Sequence, residues 1–509
     1  MAEDLLDQTF SPPGINNFSW SNNNHSLAND EDGTYIVFSF LNLMQKRTIG
    51  ILSFRDETKD FDHYSFDEFG EIIGFPVVKS DTRGKVHLFF VAKDGRQKTQ
   101  IFHAKKVAGL VWETESIFTY PKSHIYVQPS TTLSKSPSST APVLAKTSAS
   151  SMPASKGGKR QGKPLPFSQP ERGEVPATVR SETQADEKRE TSRPTTDKQT
   201  IVATEKEKFL RSWESVLAVG ADGDSIHFVA GRKGDEVRGL DNNIIYFNYD
   251  FYEDRWTTKE GEKVPDSTPS VESLDLAVPP NTPNHTPNRV AIFWQTPPVF
   301  SQRKGVRIKS NLGIYYTLRN DLSCQHHTAT LKLPGQWCEP RQLQPETDRK
   351  KMIDGPPQIV YGEKYYLHFL GQINQSSVYT RLDPIDVGKY FTALTTKWFS
   401  WPTQIATQFF DPPIHATSVL PISRFWVDPK GQVHTVKLIR TSVKNVYTVL
   451  DLHIQSDRKE LLGNMTARAP IKDFQTLYDD NKLHIVTLSD ADGSVSFVHA
   501  TVNISETSM

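Results

Sequence analysis

The sequence predicts an all-β fold: a single β-propeller of about seven four-stranded blades, with six as the alternative count, interrupted by one long disordered loop. Three observations predict it. First, an apolar run carrying a histidine, then a turn, then a second apolar run returns along the chain: KVHLFFVAKDG with His87, SIHFVAGRKGD with His227, YYLHFLG with His368 and KLHIVTLSDADG with His484. Each is a hairpin signal. Second, the anchors are regularly spaced. RFWVDPKGQVHTVKLI puts Trp426 in the same frame, and the steps His368 to Trp426 and Trp426 to His484 are both 58 residues. Ile36 and Phe293 fill the frame in two further units, which makes seven. Third, sustained helical periodicity is missing from the part expected to be ordered. Repeats of this kind bury their faces only against neighbours, and a closed ring is the simplest object that satisfies all of them.

In chain order, residues 1–32 are polar and Asn-rich, with Phe18 and Trp20 as anchors, and read as a tail or as the segment that closes the ring. Residues 33–125 hold the first blades, through YIVFSF, TIGILSF, IIGFPVV and VWETESIFTY. These units need blades from beyond the following insert to bury them. Residues 126–206 form that insert, a Ser/Thr/Pro/Lys-rich tract predicted to be disordered. It carries Lys135, Lys146, Lys156, Lys159, Arg160 and Lys163, and no acid up to Pro170. Residues 207–509 supply the remaining blades, beginning with IHFVA and the aromatic NNIIYFNYDFYEDRW. A flexible, proline-rich insert is expected at about 261–288.

Composition limits the function. The 509 residues carry a formal net charge of zero and are 36% hydrophobic, so no net field draws the chain to nucleic acid. The opening MAEDLLDQTFSPPG lacks a basic and an apolar region, and no run reaches the roughly 18 apolar residues of a membrane span. A cytoplasmic or nuclear location with no membrane partner is the expectation. Cys324 and Cys338 fit a reducing compartment, with one disulfide between them as the alternative. There is no Gly-rich phosphate loop, no GxSxG elbow, and no HxxxH or CxxC spacing. No metal or cofactor is expected. The four strand histidines read as packing and hydrogen-bonding devices, because Trp, Phe and Ile replace them in the other units.

The repeat, together with the Trp-containing ends DRWTT (254–258) and KWFSW (397–401), resembles the propeller lectins, which include six-bladed fungal fucose-binding lectins and seven-bladed bacterial relatives. The resemblance implies sugar sites between blades, built from an arginine, a glutamate and an aromatic ring. The candidate ligand-binding residues are Trp256, Trp398 and Trp401, with Asp254 and Arg255 beside the first. A sugar presents apolar C–H faces and hydroxyls, so a ring with polar neighbours offers both area and orientation. The expected function is non-enzymatic carbohydrate binding, with a glycan or another protein as partner. One alternative is a cytosolic or nuclear protein-interaction scaffold. The second is a sialidase- or glycosidase-like enzyme, for which Asp250, Glu253 and Asp254 beside aromatic rings are the candidate carboxylates.

Overall fold

The computed structural model describes residues 7–120 and 213–504, apart from short stretches within both ranges and the longer stretches 280–289, 321–335, 344–355, 383–398 and 401–415. The chain forms two compact units, residues 1–122 with 204–509, and residues 123–203. The second unit lies outside the described residues, as do both cysteines, Trp398 and Trp401.

Among the described residues the first unit is a β-propeller of seven antiparallel blades, with one further two-stranded hairpin, Val299–Arg303 with Val306–Ser310. Blade 1 is built on Leu27–Asp30, Gly33–Leu41, Arg47–Phe54 and Phe61–Ser65, with Asn16–Ser19 added beside Gly33–Leu41. Blade 2 runs Val77–Ser80, Val86–Lys93, Thr99–Ala108 and Val111–Thr119. Blade 3 runs Glu214–Ala221, Ser225–Lys233 and Ile245–Asp250, with Arg255–Trp256 and Glu262–Lys263 sharing its outer edge. Blade 4 starts at Ser273–Ala277, blade 5 at Gln358–Tyr361 and blade 6 at Ala416–Val427. Blade 7 comprises Ile471–Asp479, Lys482–Ala491 and Ser494–Asn503, and its fourth strand is Asp7–Phe10 from the other end of the chain. The N-terminal segment therefore closes the ring.

Two observations fix the count at seven. The innermost strand of each blade touches that of the next, from Leu27–Asp30 round to Ile471–Asp479 and back. The apolar core also divides into seven clusters, one per blade interface. A single strand shows why the sequence reads as it does. In Val86–Lys93, Leu88 and Phe90 pack towards blade 1, while Phe89 and Val91 pack towards blade 3. Successive side chains point to opposite faces, and both faces are covered. The strand is thus an unbroken apolar run instead of an alternating one.

Two expectations are corrected. Trp426 does not share the histidine frame. It sits on the innermost strand of blade 6, paired with His434 on the second, so the repeated 58-residue step is coincidental and His434 is the equivalent residue. Within 261–288, part of the expected flexible insert is core: Ser273–Ala277 is the innermost strand of blade 4, with Val271, Leu274 and Leu276 buried. The flanking prolines conceal a short strand because they dominate local composition.

Candidate functional site at the junction of blades 2 and 3

The second-strand histidines share one geometry. Each Nδ1 meets a polar group on the third strand: His103 Nε2 at 2.9 Å for His87, the Tyr246 hydroxyl at 2.6 Å for His227, the Tyr379 hydroxyl at 2.8 Å for His368, Asp451 at 2.7 Å for His434, and His499 Nε2 at 3.0 Å for His484. In blades 2, 3 and 6 the turn before the second strand supplies an aspartate to Nε2, with Asp81 at 3.4 Å, Asp222 at 2.9 Å and Asp428 at 3.8 Å. The rings are buried. Their first role is to give strands that are apolar on both sides a fixed register, since a buried polar group is costly unless paired.

Blade 2 extends this device to the surface. His103 Nδ1 lies 3.0 Å from Glu115 Oε1, and the Trp256 indole N–H of blade 3 donates to the same oxygen at 2.9 Å. A chain of polar contacts thus runs from buried Asp81 through His87 and His103 to Glu115, whose side chain is 54% exposed. Burial holds the His87 pKa down at about 4 and lowers that of His103. The hydrogen bond from His103 lowers Glu115. Two neutral imidazoles carry two protons for three contacts, so a third proton on this chain converts one ring to imidazolium.

Trp256 is buried, at 8% exposure, with its ring edge-on to His103, Phe89 and Phe247. It lies beneath the junction and presents its N–H edge to Glu115. The turn before it is set by Asp250, whose carboxylate accepts the backbone N–H groups of Tyr252 at 2.8 Å and Glu253 at 3.0 Å. That turn brings Asp254 to φ 49°, a left-handed conformation that aspartate tolerates. Asp254 accepts Lys105 Nζ of blade 2 at 2.9 Å and the Tyr249 hydroxyl. The hydrogen bonds from Tyr249 and Lys105 hold its carboxyl down at about 2. Arg255 is exposed and paired with Glu253. The ring that stands open is Tyr252, at 79% exposure. Asp254 and Arg255 therefore follow an exposed phenol in the same turn, and the indole next to them is buried. Glu115 and Lys105 escaped the sequence reading because their strands meet blade 3 only across a blade interface, whereas Tyr252 was visible as one of several aromatics of NNIIYFNYDFYEDRW with nothing local to mark which ring stands open.

A separate pocket of about 540 Å3 lies where the inner turns of blades 7, 1 and 2 meet, lined by Asp30, Glu31, Asp81, Asp479 and Asp480 with Lys482. Asp81 is thus a lining residue of this pocket with its carboxylate fully buried, and it forms one end of the polar chain that reaches Glu115 at the other. No helix of the described residues is long and apolar enough to cross a membrane.

No family model matches the chain, and no curated protein matches it. Similar solved structures do exist. An oligogalacturonate lyase from Vibrio parahaemolyticus has 9% identity and a TM-score of 0.44 over 100% of this chain and 99% of its own. The polysaccharide lyase Uly1 has 8% identity and a TM-score of 0.43 over 96% and 91%. The Aleuria aurantia lectin, solved with α-methyl-L-fucoside, has 9% identity and a TM-score of 0.33 over 84% and 94%. The chain is a seven-bladed β-propeller in architecture, on the evidence of its own blades and closed ring.

Proposed function

We propose that this propeller is a non-catalytic carbohydrate-binding protein with a site at the outer junction of blades 2 and 3. One observation carries the reading: the exposed Tyr252 ring stands beside Asp254 and Arg255 of blade 3, and blade 2 brings Glu115 and Lys105 to the same junction. A phenol face suits the C–H face of a sugar, and the carboxylates suit its hydroxyls. Trp256 holds Glu115 from below and is a positioning residue in this scheme. Trp398 and Trp401 stay in the proposal as aromatic contacts of a second site, because Phe399–Ser400 between them pairs within blade 5 and not at this junction.

The test is a glycan array on the full chain, followed by titration of any hit against single variants. Tyr252→Ala and Glu115→Gln each weaken binding at least tenfold with Tm unchanged, and Trp398→Ala or Trp401→Ala reports whether those rings contribute. Binding that survives both blade-junction changes in folded protein overturns the site. A protein-interaction scaffold is the second reading, favoured by Leu43 and Met44, which stand 88% and 87% exposed in one turn of blade 1. An array with no hits, together with a co-purifying protein lost on Leu43→Asp, selects it.

A further inference from the structure

We infer that blade 6 contains a zinc site formed by His434, Asp451 and His453, independent of the junction described above. The three come together through strand geometry. His434 on Val433–Thr441 is the register partner of His453 on Val446–His453, and Asp451 precedes His453 by two residues, so it shares its face of the sheet. The imidazole centroids are 4.0 Å apart. One donor atom from each residue lies within 4.8 Å of the other two. Asp451 Oδ2 is 2.7 Å from His434 Nδ1 and 3.4 Å from His453 Nε2.

These distances fit a small change of state. With ligand bonds of about 2.0–2.1 Å, tetrahedral zinc places neighbouring donor atoms about 3.3 Å apart. The Asp451–His453 contact already has that separation. The Asp451–His434 contact opens by roughly half an ångström as the ion replaces the shared proton. Two imidazoles and one carboxylate are a donor set that zinc takes with a fourth position left open. No fourth His, Cys, Asp or Glu joins them among the described residues.

The surrounding groups supply the stronger argument. Metal-bound histidine and carboxylate ligands are held by outer hydrogen bonds. The Trp426 indole N–H donates to Asp451 Oδ1 at 3.0 Å, which leaves Oδ2 for the ion. His434 Nε2 and Asp428 Oδ2 are both buried with no hydrogen-bond partner, and they face each other at 3.8 Å. With His434 neutral and bonded to Asp451 through Nδ1–H, Nε2 has no proton to offer Asp428. With zinc on Nδ1, the imidazole proton must sit on Nε2, pointing at the Asp428 carboxylate. With an ion on Nδ1, Asp451 Oδ2 serves as a ligand and both Trp426 and Asp428 hold ligands from outside, while the fourth position stays open. The sequence hid the site because its ligands lie 17 and 2 residues apart on paired strands, a spacing no short metal motif has.

The experiment is titration of the chelator-treated full chain with ZnCl2 against a chromophoric competitor, with Co2+ absorption as an independent reading of coordination. One ion binds per chain, and Co2+ gives the intense visible bands of a four-coordinate site. His453→Ala lowers affinity at least a hundredfold. Asp428→Asn and Trp426→Phe, which touch no ion, lower it about tenfold to a hundredfold. Asp480→Asn in the acidic pocket leaves it unchanged. Absence of stoichiometric uptake overturns the proposal, as does uptake unaltered in folded His453→Ala protein. If His453→Ala fails to fold, His453→Gln and Asp428→Asn decide: unchanged affinity in both overturns it.

Discussion

Blades 3 and 5 bury the same residue in the same place and treat it in opposite ways. In blade 3 both nitrogens of His227 are paired, Nδ1 with the Tyr246 hydroxyl and Nε2 with Asp222. Asp222 is itself held by the N–H groups of Asp224 at 2.9 Å and Ser225 at 2.7 Å. In blade 5 the turn offers Gly362 instead. A Cβ there would lie 2.7 Å from His368 Nε2 and 2.8 Å from Val433 Cγ2. The imidazole and the neighbouring blade occupy the space an aspartate would need, and Nε2 is left buried without a hydrogen bond. The contrast teaches that the conserved geometry of the device is the Nδ1 contact to the third strand. The Nε2 partner is an addition that steric room decides.

The largest effect should come from blade 3. His227→Phe strands a buried carboxylate and should cost about 3–5 kcal/mol, read by urea unfolding. A loss below about 1 kcal/mol would show that Asp222 is satisfied by its backbone donors alone. Next is Gly362→Ala, which adds the offending Cβ and should cost about 1–3 kcal/mol. Stabilisation by this change would refute the steric account of blade 5. The smallest effect at neutral pH is His368→Phe, which removes an orphaned nitrogen along with one hydrogen bond and should stay within about 1 kcal/mol.

Acid enlarges that last difference. Burial holds the His368 pKa down at about 3. Below pH 6.5 the unfolded chain takes up the proton while the folded chain does not until about pH 3, so the unfolded state binds more protons. Wild-type stability from this group therefore falls as pH drops through that window, by at most about 1.4 kcal/mol per pH unit. The phenylalanine variant lacks the term and should gain on wild type as the solution is acidified. Parallel pH profiles for the two proteins would contradict the depressed pKa.

Much of the ring was legible because strands packed on both sides spell themselves out. His87, His227, His368, His484, Ile36 and Phe293 all lie on second strands of their blades. Blade 6 misled because its innermost strand is also apolar and aromatic, so that RFWVDPKG imitates a second strand and its turn. The signal that separates them was available: an aspartate five or six residues before the histidine, as in Asp81/His87, Asp222/His227 and Asp428/His434. The junction was half legible. DRWTT marked Asp254 and Arg255 correctly as a blade end, but no local pattern announces that Trp256 points inward, because Phe89 and His103 come from another blade. The histidine partners His103, Tyr246, Tyr379, Asp451 and His499 were invisible for the same reason: cross-strand geometry depends on register, and register is a property of pairs.

The pairing of Asp7 with Ala500 sets a schedule for synthesis. At roughly 5–20 residues per second, the first strand waits about 25–100 s for the strand it must join. During that interval blade 1 has an uncovered flank and the nascent ring has two open edges, each able to pair with a neighbouring chain. A nascent chain of this protein thus keeps both edges open until Ser494–Asn503 has emerged, and whatever escorts it must hold on until that strand is out.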